Sequence, residues 1–410
     1  MPGILGGRQR ERTMRRTNLF SLLISVAMAL LIMLAGPAAL AANTSLPPLP
    51  IEEMGRVEQL PASYPEDWVI VDESSFFNMF GGKIIILDIA EKTHAKRMKG
   101  MMSKSMLGNF TQSKKRGEFY IIESFNERGA RGKKFDVLVI YDKQTLNIKK
   151  EIIWPTDRLQ SLPERYSMAV SKDEKLLYVS NFNPAASFTV VNLDTQEIVE
   201  TIGTPGCVLT YPAGERSVVS ICSNGGLLST VLDKKGKLKS RQRMDSFFDT
   251  DKTPVYEWPI FVAGKGYFPS FHGEMHVIDF SGDVVKYIEK WSLVTEQERA
   301  ENWRPGGMAL TDRDDEGHLY IIMHPDGHEG SQTHGGPQVW VFDVEKQKRL
   351  RIIEVPNWAV SLAVTRGKNP KLVITNGELN LDIFNAKNGN FIQTVSDFNN
   401  VTPLLIHKSY

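Results

Sequence analysis

Three of the eight histidines of this 410-residue chain lie within eleven positions of one another. His324, His328 and His334 are interspersed with Asp326 and Glu329, and imidazoles together with carboxylates form a donor set that binds metal ions. The intervening proline and glycines make the segment a loop, and spacings of four and six residues do not place the rings on one side of a helix. We therefore expect no metal site, and instead a polar rim loop that contacts a partner.

Other residue patterns that could carry chemistry are weaker. His272 and His276 have the spacing of a zinc-binding helix, but their neighbours are typical of a strand. The sequence has no Gly-x-Ser-x-Gly elbow, no Walker loop and no Cys-x-x-Cys-His haem motif. We expect no catalytic residue in this chain. Its two cysteines, Cys207 and Cys222, form either a disulfide or two separate buried thiols.

An apolar run that ends in an acidic or amide residue occurs seven times, at intervals of 39 to 64 residues. The last residues of the seven runs are Asp88, Asp142, Asp194, Asp233, Asp279, Asp343 and Asn385. A second run rich in β-branched and aromatic residues precedes each copy, and a polar turn with a further strand follows it. This period predicts an all-β fold, a seven-bladed β-propeller spanning residues 65–410. We interpret the acids as turn caps, because a short carboxylate accepts N–H groups two residues on.

The two ends of the repeat region complement each other. The first repeat lacks an innermost strand, whereas the last repeat is followed by an additional apolar run at residues 403–407. We expect this C-terminal strand to complete the first blade and close the ring, which removes exposed sheet edges. Between the fifth and sixth copies, Thr295 and Glu298 fit a capping box, which predicts a short helix over residues 296–302.

The amino terminus has the features of an export signal. Residues 1–41 combine five arginines, an apolar run and an Ala-Leu-Ala cleavage site, so we expect a removable signal peptide. A retained anchor is less favoured because the apolar run of about 16 residues is shorter than the ~20 that span a bilayer. Arg15-Arg16 leaves twin-arginine export open, and Met14 could be the true start. Residues 42–64, rich in proline, are expected to form an extended arm.

Composition excludes one class of partner. Hydrophobic residues make up 41% and charged residues 24%, as in ordinary globular proteins. Removing the five arginines and one glutamate of residues 1–41 changes the net charge from +1 to −3. A mildly acidic mature chain has no electrostatic footprint for nucleic acid.

Two segments resemble a known family. Leu293–Gly307, with its Trp-Arg-Pro-Gly-Gly ending, is similar to the segment leading into the sixth blade of amine dehydrogenase heavy subunits. Ser124–Gly132, continuing into Val139–Asp142, is similar to their second blade. Met323–Gly327 together with Val339–Asp343 looks closer to the aromatic amine dehydrogenase type than to methylamine dehydrogenase. The likeness covers essentially the whole mature chain.

The resemblance implies a periplasmic complex with divided roles. In the family, a small disulfide-rich light subunit carries the tryptophan tryptophylquinone cofactor and oxidises primary amines to aldehyde and ammonia. Electrons then pass to a small copper protein or a cytochrome. Two heavy and two light subunits assemble, and the heavy chain is a scaffold without a cofactor. The resemblance also implies a disulfide between Cys207 and Cys222.

One family element borders the substrate path, a Phe that follows a Gly pair between the first and second blades. The matching stretch here is Lys99–Met102, where Met102 takes the place of the Phe. Met101 and Met102 are therefore candidates for an apolar substrate-channel gate, since methionine adapts to irregular surfaces. The alternative interpretation is that both pack within a blade.

The predicted partner interface combines the extended arm at residues 42–64 with two loops. One contains Phe76, Phe77 and Phe80, and exposed apolar groups of this kind mark interaction sites. The other is the His324–His334 loop. The aromatic loop could instead pack beneath the arm of its own chain.

Two other functions remain as alternatives. One is a stand-alone propeller hydrolase of the lactonase type, which would need acidic and histidine ligands converging on the central channel. The other is a periplasmic ligand-binding propeller without a redox partner.

Overall fold

The computed structural model describes residues 59–74, 81–129, 131–159, 163–398 and 402–410. The predicted signal peptide, most of the predicted arm and the loop with Phe76, Phe77 and Phe80 lie outside the described residues. Within these ranges the helices are α1 (His94–Arg97) and α2 (Glu296–Ala300), with short 3₁₀ turns at Arg165–Ser167 and Ser331–Thr333. None of the helices in the described ranges is long and apolar enough to cross a membrane.

Strands form nearly all of the remaining regular structure. The first fourteen are β1 (Trp68–Ser74), β2 (Gly82–Asp88), β3 (Met98–Lys104), β4 (Asn109–Gln112), β5 (Glu118–Arg128), β6 (Arg131–Asp142), β7 (Ile148–Ile153), β8 (Asp157–Arg158), β9 (Met168–Val170), β10 (Leu176–Asn183), β11 (Ser187–Asn192), β12 (Glu197–Gly203), β13 (Cys207–Ala213) and β14 (Ser217–Cys222). The others are β15 (Leu227–Leu232), β16 (Leu238–Met244), β17 (Ile260–Val262), β18 (Lys265–Pro269), β19 (Glu274–Asp279), β20 (Lys286–Ser292), β21 (Arg304–Pro305), β22 (Thr311–Arg313), β23 (His318–His324), β24 (Gly336–Asp343), β25 (Lys348–Val364), β26 (Lys371–Asn376), β27 (Leu381–Asn385), β28 (Phe391–Val395) and β29 (Thr402–Lys408).

Hydrogen bonds join these strands into six antiparallel sheets. Five have four or five strands, in the orders β29-β1-β2-β3, β4-β5-β6-β7, β12-β11-β10-β8 with β9 also on β10, β13-β14-β15-β16 and β17-β18-β19-β20. The sixth has eight strands, in the order β21-β23-β24-β25-β26-β27-β28, with β22 also on β23. Innermost strands of neighbouring sheets contact each other: β4 contacts β9, and β17 contacts β22. The fold is therefore an all-β propeller.

The number of separate blades differs from the sequence-based prediction of seven. The structure has five separate blades of four or five strands, and the sixth and seventh repeats share the eight-stranded sheet. The reason is the 17-residue strand β25, which pairs with β24 through Lys348–Glu354 and with β26 through Ala359–Val364. A repeat pattern gives the number of strand groups in a sequence. It does not show whether the segment between two groups continues as one strand.

The predicted closure by the C-terminal strand is confirmed. Strand β29 pairs with β1 in the antiparallel register Val69↔Lys408 and Val71↔Ile406. The capping-box helix is confirmed as well. The Thr295 side chain accepts from the amide of Glu298, and the Glu298 side chain accepts from the amide of Thr295. The core lies between the sheets, where Val, Ile and Leu side chains from facing strands are buried.

Candidate functional site

One end of the central channel opens into a cavity of about 540 Å³, called here the mouth cavity. Segments next to β9, β13, β17, β22 and β29 line it, so it lies where inner strands converge. Its walls are largely apolar, and they include Leu159, Val208, Met308 and Leu404. A second cavity of about 640 Å³ adjoins it and shares Phe182 in its wall.

Two glutamates from different sheets line the mouth cavity, Glu164 and Glu257. The Glu164 amide donates to Asn109 Oδ1 at 2.8 Å, and its carboxylate accepts from the Tyr166 amide at 3.3 Å. Burial and the charge of Glu257 raise the pKa of Glu164 to about 8. Burial also raises the pKa of Glu257, although the residue is partly exposed to solvent.

Three neighbouring hydroxyls hold the segment that carries Glu257. The Tyr211 hydroxyl donates to the carbonyl of Glu257 at 3.1 Å, and Thr311 donates to the carbonyl of Trp258 at 2.5 Å. The Tyr166 hydroxyl donates to the carbonyl of Pro259 at 2.8 Å. Tyr211 and Thr311 belong to the sheets on either side of the sheet with β17, and Tyr166 lies in the turn before β9. The position of Glu257 is therefore set by packing between blades.

Asp312 forms the ion pairs with the nearby cations, and Arg165 also acts electrostatically on Glu164. Arg165 Nη1 lies 3.8 Å from Asp312 Oδ1, and Lys408 Nζ lies 3.6 Å from the same oxygen. The Arg165 guanidinium also lies 5.2 Å from the centre of the Trp258 ring. Burial alone would raise the pKa of Asp312, but Lys408, Arg165 and the Val364 amide outweigh it and lower that pKa. Among the described residues, the Glu164 and Glu257 carboxylates form no ion pair within 4 Å.

A second buried ionic group joins the first two blades. Lys104 Nζ lies 2.9 Å from Asp72 Oδ1, with both side chains fully buried, and Lys104 also donates to the carbonyl of Gly108 at 3.0 Å. Burial raises the pKa of Asp72 to about 6 despite Lys104. Burial likewise raises the pKa of Glu123 to about 7, although it accepts from the Ser105 amide at 2.6 Å. Lys104 thus has its ion-pair and hydrogen-bond partners within the protein, so we interpret this ionic group as structural.

Several aromatic side chains on strands are exposed. The Phe125 and Phe135 rings on the β5–β6 hairpin lie 5.8 Å apart, and both are exposed. Phe182 at the end of β10 is 60% exposed, and Trp358 in β25 is 41% exposed. Sequence reasoning missed these residues because each stands alone among polar neighbours.

The predicted gate residues lie on β3, the outermost strand of its sheet. Met102 pairs with Ile84 and is buried in the core between the first two sheets, whereas Met101 is 47% exposed. Met101 is thus the member of the pair that a partner could reach. The gate role of Met101 and Met102 stays a prediction.

The predicted disulfide is confirmed. Cys207 on β13 and Cys222 on β14 are bonded, and they are direct partners in the strand register. The alternative of two separate buried thiols is therefore wrong.

The structure places the three clustered histidines in different surroundings. His324 is buried at the end of β23, its Nε2 lies 3.0 Å from Ser331 Oγ, and burial lowers its pKa to about 4. The His328 and His334 rings lie 5.6 Å apart in the following loop. Within the described residues, no group of three or more His, Cys, Asp or Glu is arranged to hold a metal ion. The interface role of these histidines stays a prediction.

The fold and the site define a propeller protein with an apolar, acid-lined channel mouth. A solved protein of unknown function from Desulfotomaculum acetoxidans has a similar fold, with a TM-score of 0.56 and 11% identity over 83% of this chain and 99% of its own. The methylamine dehydrogenase heavy chain of Methylobacillus flagellatus is 26% identical over 71% of this chain and 73% of its own. That of Methylophilus methylotrophus is 25% identical over 73% and 75%.

A family model described as methylamine dehydrogenase heavy chain matches residues 69–407. The chain belongs to this family. The resemblance to amine dehydrogenase heavy subunits is therefore confirmed, while the closer likeness to the aromatic amine type stays a prediction.

Proposed function

We propose that this chain is the large scaffold subunit of a periplasmic, quinone-dependent amine dehydrogenase. The observation that carries the proposal is the family match over residues 69–407, which runs from β1 to β29 and so spans the propeller. The quinone, tryptophan tryptophylquinone, belongs to the partner light subunit. There it supplies the oxidation of primary amines to aldehyde and ammonia, and a copper protein or cytochrome accepts the electrons.

In this complex the propeller holds the light subunit and carries out no chemical step itself. An obligate interface buries about 2,000 Å² or more, which requires a broad surface with apolar groups. The exposed Phe125, Phe135, Phe182 and Trp358 supply apolar groups that support such a partner surface. Of these, Phe182 lies in the wall of the mouth cavity. Two heavy and two light subunits complete the proposed assembly.

We also propose that the eight-stranded sheet serves as two blades, which would make seven around the axis. The two halves of β25 pair with different neighbours, which supports this division. A parallel bridge between Ala309 and Ser361 further supports two adjacent innermost strands within that sheet.

Export by the predicted signal peptide at residues 1–41 completes the proposal. The disulfide between Cys207 and Cys222 supports an oxidising compartment, because disulfides rarely persist in the cytosol.

Co-purification tests the proposal. A tagged form of this chain, expressed with a cysteine-rich exported protein from the adjoining reading frame, should bring that protein down in a 1:1 ratio, with a mass fitting two copies of each. The complex should contain a covalently bound quinone, detected by redox staining of the small subunit. A tagged chain that remains alone under these conditions would overturn the scaffold role.

A further inference from the structure

The outermost strand of the fourth blade carries a dense group of basic side chains. Strand β16 and the turn before it contain six cations within ten positions, and all six are exposed. Residues 233–243 carry a net charge of +5, whereas the chain without residues 1–41 carries −3 as a whole. The group is therefore a local positive field on an acidic molecule. It is called here the basic stripe and consists of Lys234, Lys235, Lys237, Lys239, Arg241 and Arg243.

The cations of the basic stripe have no acidic partners. Among the described residues, none of the six forms an ion pair within 4 Å, although basic residues on either side of the stripe do. Two acids beside the stripe are held by backbone amides instead. Asp233 accepts from the amides of Lys235 and Lys237 at 2.8 and 2.9 Å, and Glu200 accepts from the Leu238 amide at 3.0 Å. The stripe is thus left with an excess of positive charge that the fold does not neutralise.

Protection of a sheet edge does not account for this excess. Charged side chains on an outermost strand discourage pairing with other chains, and charges of either sign serve that purpose. The outermost strands β7 and β20 mix the two signs, as in Lys150 beside Glu151 and Lys290 beside Glu289. The basic stripe has cations alone on its strand, and it continues into a turn that presents no edge.

The arrangement of the stripe favours a fluid surface of phosphates over a single anion or an added strand. Arg241 lies opposite Thr230 and Arg243 opposite Leu228, so the two guanidinium groups share one face of a strand about 23 Å long. A register shift between Val231 and Leu232 interrupts the ladder, and bulged edges disfavour strand addition. Flexible lysine side chains hold one small anion weakly, whereas a surface with many phosphates engages several of them at once.

We propose that the basic stripe binds the surface of an anionic phospholipid membrane, with its lysine and arginine side chains against the lipid phosphates. The inference goes beyond the scaffold function and does not rest on it, because the stripe lies on the perimeter of the propeller and away from the mouth cavity. Clusters of four to eight basic residues bind such surfaces through electrostatic attraction without inserting into the hydrocarbon.

Flotation of lipid vesicles with the purified mature chain tests the proposal. The anionic vesicles contain about 30% phosphatidylglycerol in phosphatidylcholine, and the neutral vesicles contain phosphatidylcholine alone. At about 50 mM salt the chain should bind the anionic vesicles at least about tenfold more strongly, and about 500 mM salt should release it, because salt screens exposed charges. Equal binding to both kinds of vesicle, or binding to neither, would overturn the proposal.

A charge-neutralising variant locates the binding surface. Lys235→Gln/Lys239→Gln/Arg241→Gln should weaken binding to the anionic vesicles at least about tenfold, since each basic residue near the surface contributes to the attraction. It should keep the wild-type melting temperature, because all three side chains are exposed. The variant Lys235→Arg/Lys239→Arg keeps the charge and should bind like the wild type.

A matched control removes the same charge elsewhere. Lys150→Gln/Lys286→Gln/Lys348→Gln alters exposed lysines on the outermost strands of three other blades, and it should bind the anionic vesicles like the wild type. Equal losses in this control and in the stripe variant would show that net charge alone governs binding, which would refute the stripe as the site.

Two further arms separate the membrane from other sources of negative charge. Inorganic phosphate at matched ionic strength should not displace the chain from anionic vesicles, and displacement would assign the stripe to a free anion. A short polyglutamate peptide that binds the stripe more tightly than vesicles do would overturn the proposal in favour of an acidic protein. The vesicle measurements use the heavy chain alone, so failure to assemble with a light subunit would refute only the scaffold function.

Discussion

At the residue scale, the most isolated titratable group is His276 on β19. Its side chain is buried, and neither ring nitrogen has a hydrogen-bond partner. Its ring packs against Phe247 and Tyr287, with centroid separations of 5.3 and 6.2 Å. Burial lowers the pKa of His276 to about 4, against the opposing charge of Glu274. The folded protein therefore keeps this imidazole neutral in mildly acidic solution.

This burial predicts a loss of stability in acid. The pKa of His276 is 6.5 when unperturbed and about 4 in the fold, so the unfolded chain binds the proton first as pH falls. No stability is lost above pH ~7, and the loss develops between about pH 6.5 and 4. Between pH 7 and pH 5, His276→Leu should lose about 2 kcal/mol less unfolding free energy than the wild type.

Urea unfolding at the two pH values measures this difference, with exposed His94→Gln as the matched control. His94→Gln should lose as much stability as the wild type. His324 and His407 also have lowered pKa values. Because both are present in every chain compared, their contributions to the acid loss of stability cancel. An equal acid loss in His276→Leu and the wild type would contradict the assignment.

At the element scale, the inner hairpin of the fourth blade carries the covalent link. Cys207 on β13 and Cys222 on β14 are 15 positions apart in the sequence. A loop of this size gives a stabilisation of about 3 kcal/mol through the unfolded state. The double variant Cys207→Ser/Cys222→Ser should therefore unfold about 3 kcal/mol more easily in denaturant. Thiol titration of the unfolded, unreduced wild type should detect no free thiol, and two free thiols per chain would contradict the bond.

The strand that closes the ring predicts a second effect at this scale. Ile406 on β29 is buried in the core shared with Val71 and Ile383, whereas Ile153 on the outer strand β7 is 69% exposed. Ile406→Ala should cost about 2–5 kcal/mol of unfolding free energy, because it leaves a cavity in the core. Ile153→Ala should change it by about 0.5 kcal/mol or less. Similar losses in both variants would argue against a closing role for β29.

The elements themselves were largely predictable because their signals are local. Apolar runs rich in β-branched and aromatic residues identify the strands, and most of the turn acids behave as interpreted. Asp88, for example, accepts from the amides of Ala90 and Glu91. In the third repeat the cap is Asn192, two residues before the predicted Asp194. The continuity of β25 was not predictable, because it depends on both neighbouring strands and not on its own sequence pattern.

At the scale of the whole molecule, the candidate site was not predictable from the sequence. Glu164 and Phe182 come from the third repeat, Glu257 from the fifth and Met308 from the sixth, and no periodicity relates them. They converge only because the inner strands surround one axis. The family, in contrast, was predictable, since its most specific segment, Leu293–Gly307, lies in one continuous stretch.

The partner surface gives a prediction about assembly. We expect Phe77→Ser/Phe80→Ser to weaken assembly with the light subunit while leaving the propeller folded, because the proposed interface needs these apolar groups. Phe391→Ser, on the exposed outer strand β28, is the matched control and should assemble normally. Co-purification at rising salt measures the difference. A doubly substituted chain that retains wild-type stoichiometry and salt resistance would exclude the loop from the interface.

The central claim is that this propeller is a scaffold and that the oxidation takes place in the light subunit. The most direct measurement is amine-dependent dye reduction by the purified chain alone and by the chain assembled with its mature light subunit. The account predicts no reduction by the isolated chain and sustained reduction by the complex, with aldehyde and ammonia formed in equal amounts. Amine-dependent reduction by the isolated chain, free of light subunit, would contradict it.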